Sequence, residues 1–351
     1  MERKILIAPL NWGLGHATRC IPIINALINE GYTPVIASDG AALDLLKKEF
    51  PSLETKTLPS YNIEYSKSAS TFKIKMVLNS PKIARAIKAE RKVIEDIVAM
   101  DHYHGIISDN RLGVRHKYIP SVIITHQLTV LSGNTTGLST KLHAKYIKKF
   151  DACWVPDMAD TPNLSGVLGH PKKMRLPVTY LGPLSRFHYQ NLPKDYDIMV
   201  LLSGPEPQRT LLENKLFKEF KQSDKRIVLI RGIIEDTHKI YTKNNITVHN
   251  FLTGKDLQNT INRSSLVIAR SGYTTVMDLA KLNKRAFFIP TPGQFEQEYL
   301  ADRLRRNKIV PSCNQEDFSL KYLYAVSSFK GLSSFSTDID YRELFYFFQS
   351  K

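Results

Sequence analysis

Ile268-Ala269-Arg270-Ser271-Gly272-Tyr273-Thr274-Thr275-Val276-Met277-Asp278-Leu279-Ala280 is the segment on which the fold class turns. Apolar residues 266–269 make a strand, and Ser271-Gly272 ends it in a turn. A helix then starts at Thr274-Thr275, with Asp278 one turn inside. The first N–H groups of a helix have no partner within it, and its dipole is positive at that end. The turn therefore offers a seat to an anion. Asp278 follows at a spacing that lets it reach a ribose hydroxyl. These features predict a nucleotide-diphosphate site in the second half of the chain.

The same alternation extends in both directions. In the second half, residues 198–202, 226–230, 246–251 and 286–289 read as further strands, with a helix over 208–221. In the first half, strands are expected at 4–10, 32–38, 105–108, 121–125 and 151–156, and a helix over 18–30 closed by Gly31. Strands separated by helix-length segments predict parallel α/β sheets. A region around 184–194 lacks apolar periodicity and marks the join. The expected organisation is a Rossmann-like domain over 1–186, a second over 194–330, and a C-terminal helix within 331–351 that packs on the body. Two such domains create a cleft at the C-terminal ends of their strands, where ligands of α/β sheets bind.

Length and composition agree with two folded domains. The chain has 351 residues, 42% of them hydrophobic and 23% charged, which argues against disorder. No apolar run approaches the ~18 residues of a membrane span. Met1-Glu2-Arg3-Lys4 leads straight into a short strand without a long apolar leader, so a cytoplasmic protein is expected. Cys20, Cys153 and Cys313 are far apart and give neither a disulfide framework nor a zinc pattern.

The net charge of +16 fits nucleic acid, an anionic membrane surface or phosphorylated substrates. No nucleic-acid-binding motif accompanies it, so nucleic acid is not expected as a partner. Between 67 and 92 stand Lys67, Lys73, Lys75, Lys82, Arg85, Lys88, Arg91 and Lys92 against the single acid Glu90. Two readings stay open for this segment. One is a solvated helix face, the other a peripheral contact with anionic lipid.

After the first strand comes Asn11-Trp12-Gly13-Leu14-Gly15-His16-Ala17-Thr18, and Asp39 ends the second strand. A dinucleotide-binding turn has this outline. Thr18 replaces its third glycine, however, and a histidine occupies the turn, which disfavours a dehydrogenase.

The 268–280 segment, with Phe287-Phe288-Ile289-Pro290 and Glu296-Gln297 after it, resembles the donor-binding segment of family 28 glycosyltransferases. That group contains the peptidoglycan N-acetylglucosaminyltransferase and carries an R-S-G-x-x-T-x-x-E core. Arg270, Ser271, Gly272, Thr275, Asp278 and Gln297 match it, with Asp for Glu at 278. The resemblance implies the GT-B architecture, an α/β fold of two Rossmann-like domains facing across a cleft. It further implies a UDP-sugar donor held by Arg270, Ser271, Gly272, Thr274, Thr275 and Asp278. Gln297 and Glu298 would meet the sugar, or else form only the solvated first turn of a helix.

Ser203-Gly204 stands where the family uses a glycine-rich phosphate turn, but Pro205 removes an N–H donor and Glu206 adds a negative charge. The family also carries a Gly-His pair at the 13–16 turn. His16 is thus the candidate base that takes the acceptor's proton, with Asp109 as its partner. Plainer readings are a histidine bound to a carbonyl or phosphate, and an aspartate capping a loop. Thr125-His126-Gln127 resembles an acceptor-side H-E-Q-N motif and makes Gly13, Gly15, His126 and Gln127 acceptor-side candidates.

The function implied is an inverting transfer of a sugar, GlcNAc as the first guess, to a hydroxyl of a glycan or lipid-linked acceptor. No metal and no cofactor is expected. Asp195-Tyr196-Asp197 and Asp338-Ile339-Asp340 have a metal-like spacing but lie away from the expected sites. Location would be cytoplasmic, peripheral at the inner face of the membrane. Gly13-Leu14-Gly15-His16-Ala17-Thr18-Arg19-Cys20 also resembles the turn of the UDP-sugar hydrolase of pseudaminic acid synthesis. A hydrolase, a UDP-sugar 2-epimerase and a non-catalytic nucleotide-sugar binder are the alternatives.

Overall fold

The computed structural model describes residues 2–61, 69–172, 176–233, 235–335 and 338–349, with the backbone alone over 69–81. The chain divides into two compact units, one from residues 1–64, 73–186 and 337–351, the other chiefly from 187–336.

The first unit runs β1 (Lys4–Pro9), α1 (Gly15–Asn29), β2 (Thr33–Ser38), α2 (Gly40–Glu49), β3 (Thr55–Thr57), α3 (Ala69–Met100), β4 (Gly105–Asp109), β5 (Ser121–Ile124), α4 (Thr136–Ile147), β6 (Ala152–Val155) and β7 (Val178–Tyr180). The strands pair in parallel in the order β3-β2-β1-β4-β5-β6-β7. Runs such as Ile5-Leu6-Ile7 and Val122-Ile123-Ile124 are buried throughout, as strands covered on both faces must be. Leu6, Ala8, Val35, Ala37 and Ile106 pack with Ile94 of α3 on one side of the sheet.

In the second unit come β8 (Tyr196–Leu201), α5 (Gln208–Phe220), β9 (Ile227–Ile230), β10 (Ile240–Lys243), β11 (Ile246–His249), α6 (Gly254–Asn262), β12 (Ser264–Ala269), α7 (Tyr273–Lys281), β13 (Arg285–Phe288) and α8 (Phe295–Arg306). The sheet order is β10-β11-β9-β8-β12-β13. Val200, Leu202, Leu216, Phe220, Phe287 and Phe318 belong to its core.

Strand order changes direction between β1 and β4 in the first sheet and between β8 and β12 in the second. Loops leaving neighbouring strands part at such a point and open a crevice at their C-terminal ends. The Gly13–His16 turn and Asp109 lie at the first reversal. Ser203-Gly204 and Arg270-Ser271-Gly272 lie at the second.

Three local differences from the sequence reading have physical causes. Helix α1 starts at Gly15, so His16 sits inside its first turn, and no side chain caps it at Leu14 to announce that start. Strand β10 was not expected. All four of its residues are exposed, and it pairs antiparallel to β11 through a turn with Asn244 at φ 57°. The aromatic tail also divides. Residues 320–328 form a 3-10 stretch with Val326 in the second unit's core. Residues 341–345 form the short helix α9 (Tyr341–Phe345), capped by Asp340 accepting from the Glu343 N–H. This helix belongs to the first unit, where Tyr32 Oη donates to the Phe345 carbonyl and Phe345 and Phe348 flank Trp154. Among the described residues no helix is long and apolar enough to cross a membrane.

Phe345 is 1% exposed. Its replacement by alanine should cost ~3–5 kcal/mol through lost burial and the cavity left. A urea titration of Phe345→Ala checks this, and an unchanged midpoint would detach the tail from the fold's stability.

Candidate active site

Parallel pairing sets Pro9 beside Asp109, and the Leu10 N–H donates to the Asp109 carbonyl at 2.9 Å. The turn after β1 and the end of β4 are thereby held together. Gly13 has φ +76°, a conformation open to glycine, and a Cβ there would meet nothing within 4 Å. His16 then enters the first turn of α1, and its Nδ1 lies 2.9 Å from Asp109 Oδ1. The structure brings these two predicted residues together.

Arg19, one helical turn beyond His16, completes the group. Its Nε donates to Asp109 Oδ2 at 2.5 Å, and its Nη2 donates to Asp109 Oδ1. That Nη2 also lies 2.8 Å from His16 Nδ1. Cys20 Sγ approaches Asp109 Oδ2 at 3.7 Å. Asp109 is fully buried and Arg19 is 2% exposed, so their ion pair is shielded from water. Burial alone would raise the Asp109 carboxyl, but Arg19 and His16 outweigh it and hold it down at about 2. His16 is pushed below its ordinary 6.5, first by burial and then by the Arg19 charge, against the opposing pull of Asp109. It is therefore neutral at neutral pH. When Nδ1–H donates to Asp109, the Nε2 lone pair is left available to take a proton.

The sequence offered Arg19 only as part of the hydrolase-like turn and gave it no role, although its spacing of three from His16 puts both on one helix face. His126 is buried, and a charge on it would lower His16 further, so the two lie within electrostatic reach. The Gln127 N–H donates to Thr125 Oγ1 at 3.0 Å. Asp39, the would-be ribose acid of a dinucleotide site, is spent elsewhere. It accepts from buried Arg111 Nη1 at 2.6 Å and from Asn11 Nδ2 at 3.3 Å. Arg111 Nε also donates to Glu90 Oε1 of α3 at 2.7 Å, with both residues fully buried. Glu90 thus points inward, and from 82 to 92 the outer face of α3 carries Lys82, Arg85, Lys88, Arg91 and Lys92 without an acid. Lys67 lies outside the described residues, as do the side chains of Lys73 and Lys75.

At the second reversal, α7 begins at Tyr273 with Gly272 at its N-cap and no capping side chain. A Cβ on Gly272 would meet nothing within 4 Å, so the backbone is open to close approach. From 271 to 280 only Gly272, Thr274, Thr275 and Asp278 are half-buried, and the others are buried. Those four make one accessible face at the positive end of the helix. Ser203 and Gly204 are exposed, with Gly204 at φ +102°.

Glu206 turns away from this face. Its Oε1 accepts from Arg209 Nε at 2.7 Å, and its Oε2 accepts from the Thr210 N–H at 3.2 Å. The expected unfavourable charge is thereby offset by Arg209, which also reaches Glu213.

Four of the predicted donor residues act on the protein itself in this structure. Arg270 is 1% exposed and donates to the carbonyls of Ile289, Pro290 and Gln208 and to Gln315 Oε1. Burial lowers it only to about 10, so it remains a cation met by neutral acceptors. Ser271 Oγ donates to the Gln297 carbonyl. Gln297 Oε1 accepts from the Thr291 N–H, and Glu298 Oε1 accepts from the Gly293 N–H. Together they shape the turn between β13 and α8. The metal-like acids are likewise paired, Asp195 with Arg263 and Asp197 with Arg226.

His16 should titrate below 6.5 in an NMR pH series. Arg19→Gln removes the lowering charge and should move that titration upward. An unmoved or lowered His16 in Arg19→Gln would contradict the electrostatic coupling.

A glycosyltransferase family 28 C-terminal domain matches residues 206–325. An uncharacterized glycosyltransferase of Methanosarcina acetivorans is 24% identical over 317 residues, covering 84% of this chain and 81% of that one. The UDP-N-acetylglucosamine–N-acetylmuramyl-(pentapeptide) pyrophosphoryl-undecaprenol N-acetylglucosamine transferase of Pasteurella multocida is 26% identical over 235 residues, 65% of this chain and 62% of the relative. Among solved structures, a UDP-glucosyltransferase of Polygonum tinctorium superposes with a TM-score of 0.66 at 13% identity, covering 100% of this chain and 99% of that one. The sheets and this likeness give the GT-B fold of two Rossmann-like domains. The chain is a glycosyltransferase, and its residues 206–325 are similar to the family 28 C-terminal domain.

Proposed function

We propose that the protein transfers a sugar, with inversion and without a metal ion, from a UDP-sugar to a hydroxyl of a glycan or lipid-linked acceptor. The observation that carries this reading is the imidazole of His16 held 2.9 Å from the buried Asp109 carboxylate at the strand reversal of the first sheet. His16 Nε2 takes the acceptor's proton as the hydroxyl oxygen bonds to the anomeric carbon. The bond from that carbon to the diphosphate oxygen breaks, and its electron pair leaves with UDP. The uncapped start of α7 and the Ser203-Gly204 turn meet the growing negative charge.

Asp278, on the accessible face of α7, holds the ribose. Arg270, Ser271, Gln297 and Glu298 support the donor by shaping the loops around it. UDP-GlcNAc is the first donor to test, because the Pasteurella relative is named for it. A lipid-linked acceptor suits a protein working at the inner face of a membrane. The basic outer face of α3 is one proposed contact there.

The G-x-G-H-x-x-R-C turn keeps a UDP-sugar hydrolase as the second reading, now with Arg19 and Cys20 both placed against Asp109. In that case His16 would activate water instead of a sugar hydroxyl.

Turnover of UDP-GlcNAc with and without membrane-lipid extract separates the two, following free UDP and free sugar together. Transfer releases UDP only with extract, and the sugar stays in lipid. Equal release of UDP and free sugar without extract would establish the hydrolase. His16→Ala should lower kcat/KM by ~10²–10⁴ while UDP affinity is kept. Asp278→Ala should weaken UDP about tenfold or more. Loss of UDP binding in the histidine variant, or unchanged affinity in the aspartate variant, would overturn the respective role.

A further inference from the structure

Helix α8 ends beside a cavity of about 250 Å³ in the second unit, lined in part by Phe287, Arg305, Arg306, Lys308, Tyr322 and Phe329. The chain forms it by reversing after the helix. Lys308 takes φ 55°, a left-handed conformation that suits glycine or asparagine better than lysine. Residues 308–309 then run beside 330–331. The Lys330 N–H donates to the Lys308 carbonyl at 2.8 Å, and the Gly331 N–H to the Ile309 carbonyl at 2.9 Å. Phe287 is the cavity's buried end, and Tyr322 stays 39% exposed.

The charge around this cavity has one sign. Arg305 Nη2 and Arg306 Nη2 share the single carboxylate of Asp302, at 2.8 and 2.7 Å, and both side chains remain at least half exposed. Lys308 Nζ stands 5.1 Å from the centre of the Phe329 ring. Three cations against one carboxylate leave +2 there. The surrounding segments bring no further acid, since residues 303–315 and 318–337 contain neither Asp nor Glu. An exposed ion pair and an ammonium over an exposed ring are both weak contacts, so an arriving anion can draw these cations to itself.

We propose that this cavity binds a small phosphate monoester carrying a flat ring, of the mononucleotide class. Arg305, Arg306 and Lys308 meet the phosphate, and Tyr322 and Phe329 meet the ring. A guanidinium fork matches phosphate oxygens in pairs, and an aromatic face takes a flat base by stacking. Phosphate alone would leave the rings unused, and an apolar ligand would leave the charge unmet. The site is separate from the donor face. Helix α8 has 12 residues and so spans about 18 Å. Its first turn, with Gln297 and Glu298, shapes the 291–293 turn, while its last turn lines the cavity. The inference goes beyond sugar transfer and does not depend on it.

The experiment is calorimetric titration of the full chain with AMP, inorganic phosphate and adenosine, each in the presence of excess UDP to fill the donor face. AMP should bind under these conditions, about tenfold or more tighter than phosphate or adenosine alone. Arg305→Gln with Arg306→Gln should weaken AMP by about tenfold or more. Tyr322→Ala should weaken AMP and leave phosphate unchanged. Lys308→Gly removes one cation while relaxing the left-handed turn, so the loss of AMP affinity expected there cannot come from unfolding. Absence of AMP binding, its displacement by UDP, phosphate binding as tight as that of AMP, or unchanged AMP affinity in Lys308→Gly and the double variant overturns the proposal.

Discussion

A carboxylate shut away from water must have its charge met by the protein, and Asp109 meets that demand with Arg19 on both oxygens and His16 on one. Removing a single partner from such a buried pair costs ~3–5 kcal/mol, because an uncompensated charge stays behind. This contact sits at the first sheet's reversal. It ties the end of β4 to the first turn of α1 and fixes the imidazole plane. It also keeps a cation close enough to oppose charging of the ring. The local fold and the electrostatics of the imidazole therefore rest on the same few atoms.

The second unit solves a related problem in a different way. Arg270 is buried without a carboxylate, and carbonyl and amide oxygens from three separate segments surround it. The guanidinium fastens the end of β13, the start of α5 and Gln315 while leaving its positive charge unneutralised. That charge adds to the fields of helix ends already turned toward the open face at Gly272. The loops around that face are thus held by the protein's own contacts.

Much of this was legible in the residues. Continuous apolar runs such as Ile5-Leu6-Ile7 and Leu266-Val267-Ile268 named the buried parallel strands, and Ser271-Gly272 and Gly13 marked the turns that follow. His16 and Asp109 could be paired because parallel neighbours bring the ends of β1 and β4 together. What escaped was which charged side chains pair with one another inside the protein. Arg19 and Arg111 look alike as isolated basic residues, yet one serves His16 and the other joins Asp39 to Glu90. Glu206 read as a charge out of place until Arg209 was seen beside it. Gln297 and Glu298 read as sugar contacts because their backbone-directed hydrogen bonds depend on the 291–294 turn. Strand β10 has no buried face to impose an alternating pattern, so only its pairing with β11 makes it a strand.

The engagement of Asp39 by Arg111 also sets the two sheets apart. Both sheets end in a glycine turn and a helix at a reversal of strand order, and each has the outline of a nucleotide pocket. In the first, the acid that would read a ribose is locked into a fully buried network with Glu90, and a histidine occupies the turn. A ribose offered there would have to compete with an internal salt bridge. Two domains of matching topology thus differ at this position: the first sheet's acid is spent inside the protein, while Asp278 of the second lies half-buried on the accessible face of α7.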